Sequence, residues 1–158
     1  MEFQSYQSQI TQKGYTVNNG IFVDKQGKPK CFNPVFEDLL DRLHNGFPLT
    51  YREQELFGQL FVSLVKIVLN HFRFKKQEHE VKQECEDEAY SEAYPLVIKY
   101  FKKGKGTAYS FAFRVIYTQM IHVLERKNKR QEFLTNLIER YEDDRIDCGH
   151  KVETPVYN

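Results

Sequence analysis

The chain has 158 residues, 41% of them hydrophobic and 28% charged, with a formal net charge of +1. That length suits one compact domain with a modest core, and that balance excludes a chain disordered throughout. No apolar run approaches the roughly 20 residues needed to span a bilayer, and "MEFQSYQSQITQKGY" lacks the basic-then-apolar order of a secretory signal.

Residues 1–32 are rich in Gln, Asn, Gly and Lys, with turn signals at "NNG" and "KQGKPK", and they read as a flexible arm or a loosely packed cover. The first helix is expected at "NPVFEDLLDRLHNG". Asn33 can cap it, Pro34 suits its first turn, Gly46 its C-terminal cap, and Phe36, Leu39, Leu40 and Leu43 form its apolar stripe. The strongest helix follows from Tyr51 to Phe72. Thr50 and Glu53 make a capping box, and Leu56, Phe57, Leu60, Phe61, Leu64, Ile67, Val68 and Phe72 recur at helical spacing as the main core element.

"RFKKQ" is a basic connector to an acidic helix, "EHEVKQECEDEAYSEAYPLVIKYF", which Pro95 should kink or split. "KKGKG" turns the chain into a further helix. After "RKNKR", the stretch "QEFLTNLIERYEDD" reads as a short helix with Phe133, Leu137 and Ile138 facing inward, followed by a polar tail. No internal repeat and no strand-like alternation of useful length occurs. The expected fold is all-α: a compact bundle of about five helices over residues 33–141, with an N-terminal arm (1–32) and a polar C-terminal tail (142–158).

Charge is strongly segregated along the chain. Gln77–Pro95 holds seven acids against Lys82, a net −6, whereas Lys99–Arg130 holds nine bases against Glu125, a net +8. Adjoining segments of opposite sign suggest two surfaces for different partners, or simply two solvated helices. Cys31, Cys85 and Cys148 are odd in number and far apart, as expected of reduced thiols in the cytoplasm.

At about 100° per residue, the helix after the turn gathers Tyr109, Ala112, Phe113, Ile116, Tyr117, Met120, Val123 and Leu124 on a core arc. Opposite lie Arg114, Thr118, His122, Glu125, Arg126 and Lys129, with Phe111 among them and Gln119 at the border. A phenylalanine inside a polar arc either covers a gap against the N-terminal arm or offers a ring on which an unpaired base can stack. Cations beside it would track phosphates, and a glutamine can pair with adenine.

The stretch "KYFKKGKGTAYSFAFRVIYTQMIHVLERKNKR" resembles conserved region 2 of bacterial sigma factors. There a helix ends in Phe, a basic Gly-containing turn follows, and an aromatic–Ser pair opens the next helix. Phe101, Gly106, the pair Tyr109–Ser110, Gln119 and Ile121 fall at that spacing. The resemblance covers roughly residues 50 to 130, about half the chain. With too few residues after Arg130 for a helix-turn-helix domain, the chain is similar to the late-transcription sigma factors of T-even-type bacteriophages.

The resemblance implies a transcription initiation factor in the cytoplasm of an infected bacterium. It would bind core RNA polymerase and open an AT-rich minus-ten-like promoter element of phage late genes, with a separate phage coactivator and no cofactor. Glu84, Asp87, Glu88 and Glu92 would dock on the coiled coil of the largest polymerase subunit. Tyr109, Ser110, Phe111 and Phe113 match the melting segment that holds flipped bases, and Gln119 matches a glutamine that reads the upstream edge of the element. Arg114, Thr118, His122, Arg126, Lys127, Lys129 and Arg130 would complete the DNA surface. The family's paired tryptophans correspond here to Val115 and Ile116, and the tail "HKVETPVYN" lacks the hydrophobic–acidic sliding-clamp motif of the phage relatives.

Other readings differ in class. Cys148 with His150, and Glu78–His79–Glu80, lack the paired spacing of a structural zinc site, and no phosphate loop or nucleophile–base pattern marks an enzyme. A repressor would need a two-helix unit with a tight turn, and none adjoins the basic segment. The remaining alternative is a non-enzymatic helical interaction protein that binds or inhibits a host transcription factor, its acidic helix the active surface.

Overall fold

A computed structural model describes residues 3–147. In order the chain forms α1 (Phe3–Gln12), β1 (Thr16–Asn18), β2 (Ile21–Val23), α2 (Asn33–His44), α3 (Tyr51–Leu69) and the single-turn α4 (Phe72–Lys75). Then come α5 (His79–Glu88), a π-helical turn (Ala89–Ala93), α6 (Tyr94–Tyr100) and α7 (Ala108–Asp147). The architecture is all-α apart from one small hairpin, and α5, the π turn and α6 form one unbroken helical rod. Among the described residues no helix is long and apolar enough to cross a membrane. The chain divides into two units, the first ending at Val123 and the second beginning at Leu124, inside α7.

In the first unit α3 is the central element. Its capping box forms as the sequence requires: the Glu53 N–H donates to Thr50 Oγ1 (3.3 Å) and the Thr50 N–H to Glu53 Oε1 (3.1 Å). Leu56, Phe57, Leu60, Phe61, Leu64, Val65 and Val68 are all buried. Phe36 of α2 stacks on Phe57 at 5.2 Å, and Tyr94 meets both Phe57 and Phe61 edge-on. After α2, Gly46 adopts φ +76°, which frees the Phe47 N–H to reach Arg42 O (2.9 Å) and the Gly46 N–H to reach Leu43 O (3.1 Å).

The N-terminal residues are not a loose arm. Asn19 and Gly20, both at positive φ, make a tight turn between β1 and β2, pairing Thr16 with Val23 and Val17 with Phe22. The strands are three residues each, too short for alternation to register in the sequence. Phe22 and Val23 are buried, and the Phe22 N–H donates to Ser63 Oγ on α3 (2.6 Å). Tyr6 of α1 is fully buried and donates its hydroxyl to Asp38. The expected boundary at residue 32 therefore does not separate this segment from the core.

Two further expectations shift. Phe72 is 74% exposed because α3 ends at Leu69; the chain turns at Asn70 and His71, and Phe74 takes the buried place instead. Asn33 does not cap α2, where it is the first helical residue. Its side-chain oxygen instead accepts the Tyr109 N–H (2.7 Å), so it caps α7 from across the fold. Asn33→Ala should cost about 0.5–2 kcal/mol, and amide hydrogen exchange at Tyr109 should accelerate more than elsewhere in α7.

Val81, Cys85, Ala89, Ala93 and Val97 are buried on the rod at a constant spacing of four. On an ideal α-helix each step of four would drift by about 40°. The π turn, wider than an α turn, takes back that rotation and keeps the stripe facing inward. It also falls just before Pro95, which has no N–H to donate, so the rod bends its hydrogen-bonding pattern instead of splitting.

The second unit is described through Asp147 and consists of the later turns of α7. No break follows "RKNKR", and the expected short, inward-facing helix is corrected on both counts. Without Pro or Gly from Ala108 to Asp147, helix propagates. Every residue from Asn128 to Asp144 is exposed, Phe133, Leu137 and Ile138 included.

Candidate nucleic-acid interface

The first turns of α7 begin after a basic turn, Lys102–Thr107, in which Gly104 and Gly106 adopt φ +91° and +95°. Thr107 closes the helix start: its Oγ1 accepts the Ser110 N–H (3.1 Å) and bonds the Ser110 hydroxyl (2.9 Å). Ala108, Ala112, Ile116, Met120 and Val123 are buried and form the true core face.

Tyr109, Phe113 and Tyr117, expected in the core, are only half-buried and form a ladder on one flank of that face. Tyr109 and Phe113 lie 6.1 Å apart, and Phe113 and Tyr117 lie 6.3 Å apart with rings 13° from parallel. His71 packs edge-on against Tyr117 at 5.0 Å. With Ser110 and Arg114 these residues line a shallow groove of about 380 Å³. Burial, with the nearby Cys31 adding to it, raises the pKa of the Tyr109 phenol, which stays neutral.

Phe111 leads the opposite flank. It is half-buried and meets Phe101 at 6.0 Å. Leu96 and Tyr100 from α6, with Phe111, Arg114, Thr118 and Gln119, line a second groove of about 320 Å³. Arg114 borders both grooves. Between them runs an exposed crest, Ser110, Arg114, Thr118 and His122, at the helical spacing of four.

Of the DNA-contacting residues expected from the sequence, Tyr109, Ser110, Phe113 and Arg114 thus share one groove, and Phe111, Arg114, Thr118 and Gln119 the other. His122 continues the crest. Arg126, Lys127, Lys129 and Arg130 belong to the second unit, where all but the half-buried Lys127 are exposed. Sequence reasoning missed His71, Leu96 and Tyr100, which come from other helices and carry no local signal. Tyr117 was legible, since it continues the Tyr109–Phe113 spacing of four.

The acidic residues lie on the rod. Glu84, Asp87 and Glu92 are exposed and Glu88 is half-buried, away from the stripe that Val81 to Val97 turn inward. Glu86 stands apart from them and pairs with Lys66 of α3. Asp87 accepts from Gln83 Nε2 at 3.2 Å.

Cys31 is a poor nucleophile, its thiol pushed up to about 12 by burial. Among the described residues no group of three or more His, Cys, Asp or Glu is placed to hold a metal ion, and Cys148 and His150 lie outside those residues. No protein-family model, curated protein or solved structure matches the chain.

Proposed function

We propose that the chain is a sigma-like transcription initiation factor for phage late genes. It binds bacterial core RNA polymerase through the acidic rod and opens an AT-rich minus-ten-like element with the start of α7, in the cytoplasm of an infected host. One observation carries this reading: an exposed crest bearing Arg114, flanked on both sides by grooves walled with half-exposed aromatic rings. Bases freed from a duplex stack on such rings at about 1–3 kcal/mol each. Arg114, with the lysines of the preceding turn, supplies the counter-charge for the phosphates between them. The factor acts by binding alone and performs no bond chemistry of its own.

Gln119, in the groove that holds Phe111, is the candidate base-reading amide. Without tryptophans at Val115 and Ile116, the two grooves take over the holding of unpaired bases. Duplex DNA alone should bind weakly and with steep salt dependence, because phosphate contacts dominate until polymerase positions the helix.

The test is a pull-down of core polymerase from the cognate host, followed by transcription from a supercoiled AT-rich template with phage coactivator present. Capture plus specific initiation supports the reading, and no capture ends it. Glu88→Lys combined with Glu92→Lys should weaken polymerase capture by on the order of tenfold or more, by placing like charge against a basic docking surface. Competition binding with labelled polymerase would measure it.

A further inference from the structure

The later turns of α7 carry a second, apolar surface, whose basic end shares Arg126, Lys127, Lys129 and Arg130 with the expected DNA surface. Phe133, Leu134, Leu137, Ile138 and Tyr141 are 48–65% exposed. At about 100° per residue they fall within an arc of about 140°. An apolar arc of this kind, on a helix whose every residue from Asn128 to Asp144 is exposed, lacks among the described residues the cover that normally stabilises a helix.

The charges around the stripe say what covers it. Upstream lie Arg126, Lys127, Lys129 and Arg130, a net +4, and downstream Glu139, Glu142, Asp143 and Asp144 outweigh Arg140 and Arg145, a net −2. The helix is basic at one end of its apolar arc and acidic at the other. A parallel copy would set base against base and acid against acid. An antiparallel copy sets each basic end on an acidic one.

We propose that this stripe is the pairing surface for a second copy of the chain, packed antiparallel about a centre between Thr135 and Asn136. In that register Leu134 meets the second copy's Leu137, and Phe133 and Ile138 flank that pair. Tyr141, over which Arg145 already lies at 6.0 Å, comes level with Arg130 of the second copy, a cation–π position. Lys129 and Arg126 fall beside Asp144 on one flank, and on the other Lys127 falls between Glu142 and Arg145. In antiparallel pairs each flank faces its own equivalent, so the first flank is complementary and the second is mixed. The overlap from Arg126 to Arg145 is about 30 Å long at 1.5 Å per residue, roughly three heptads, so the pair is reversible and weakened by salt.

The test uses the full chain and sedimentation equilibrium, with circular dichroism to show that each variant keeps its helix. Wild type should pass from monomer to dimer as its concentration rises through the micromolar range. Lys127→Glu with Lys129→Glu should shift that transition at least tenfold upward, and so should Glu142→Lys with Asp144→Lys. Mixing the two double variants should restore dimer at the wild-type concentration, because each then presents complementary ends to the other. Leu134→Glu with Leu137→Glu should be monomeric, alone or mixed. A wild type that stays monomeric at millimolar concentration overturns the proposal, and would point to the chain's own residues 148–158 or another protein as the cover. Double variants that dimerise as well alone as mixed overturn the antiparallel register.

Discussion

Arg42→Ala is expected to destabilise the fold by about 3–5 kcal/mol, the effect of leaving a buried carboxylate without its cation. Glu53 is 4% exposed and pairs with Arg42, which reaches its second oxygen at 3.4 Å. The same carboxylate completes the capping box with Thr50. On its other side Arg42 bonds Tyr6, whose hydroxyl reaches Asp38, so one guanidinium ties α1, α2 and α3 together. Urea unfolding at neutral pH would measure the loss, with a conservative Arg42→Lys recovering only part of it because lysine cannot engage both oxygens.

The same pair sets a pH signature. Burial alone would raise the Glu53 pKa, but the hydrogen bonds from Arg42 and Thr50 outweigh it and hold the carboxyl below its ordinary value. A folded pKa below the unfolded one contributes stability above the unfolded pKa, and that contribution is lost as pH falls through the folded value. Wild type should therefore lose stability on acidification below the ordinary carboxylate range. In Arg42→Ala burial dominates, Glu53 prefers its proton, and acidification should cost the variant less. At the alkaline end Tyr6, pushed up to about 12 chiefly by burial, gives stability that is complete below pH 10 and lost as pH rises through about 12.

Phe111→Ala is expected to reduce open-complex formation by roughly 5- to 150-fold, the equivalent of one lost base stack of about 1–3 kcal/mol. Polymerase capture should be unchanged, since the acidic residues sit on the rod and not on α7. Permanganate footprinting of the promoter beside the capture assay would separate the two. Phe111 also touches Phe101, so a melting curve must accompany the variant. Phe111→Leu is the control: it keeps apolar cover over Phe101 and should hold stability while still failing to open DNA. Equal defects in capture and opening would undo the division of labour between rod and helix.

Much of the fold was legible because its signals are local. The Thr50–Glu53 box, the apolar stripe of α3, the Gly46 cap and the glycines of the basic turn each act within one or two helical turns. A residue's type and its near neighbours decide them. Pro95 announced a disturbance in the acidic helix, although only the structure showed it absorbed as a π turn. The segregation of charge is likewise plain in the sequence, as are Arg114 and the ring residues of α7.

Whether an apolar side chain is covered is a different kind of question. Phe72 and Phe74 are two residues apart in one helix-compatible run, and the turn at Asn70 and His71 decides which is buried. Phe133, Leu137 and Ile138 look like core by periodicity, yet nothing in the described chain covers them. Asn33 can cap a helix, but that it caps α7, 76 residues away, is settled only by packing. The grooves depend on His71, Leu96 and Tyr100 arriving from other helices. Periodicity and capping chemistry are properties of a short stretch of chain, and the sequence by itself determined them. Burial, shared hydrogen bonds and grooves belong to pairs of surfaces, and only the tertiary structure decides which surfaces meet.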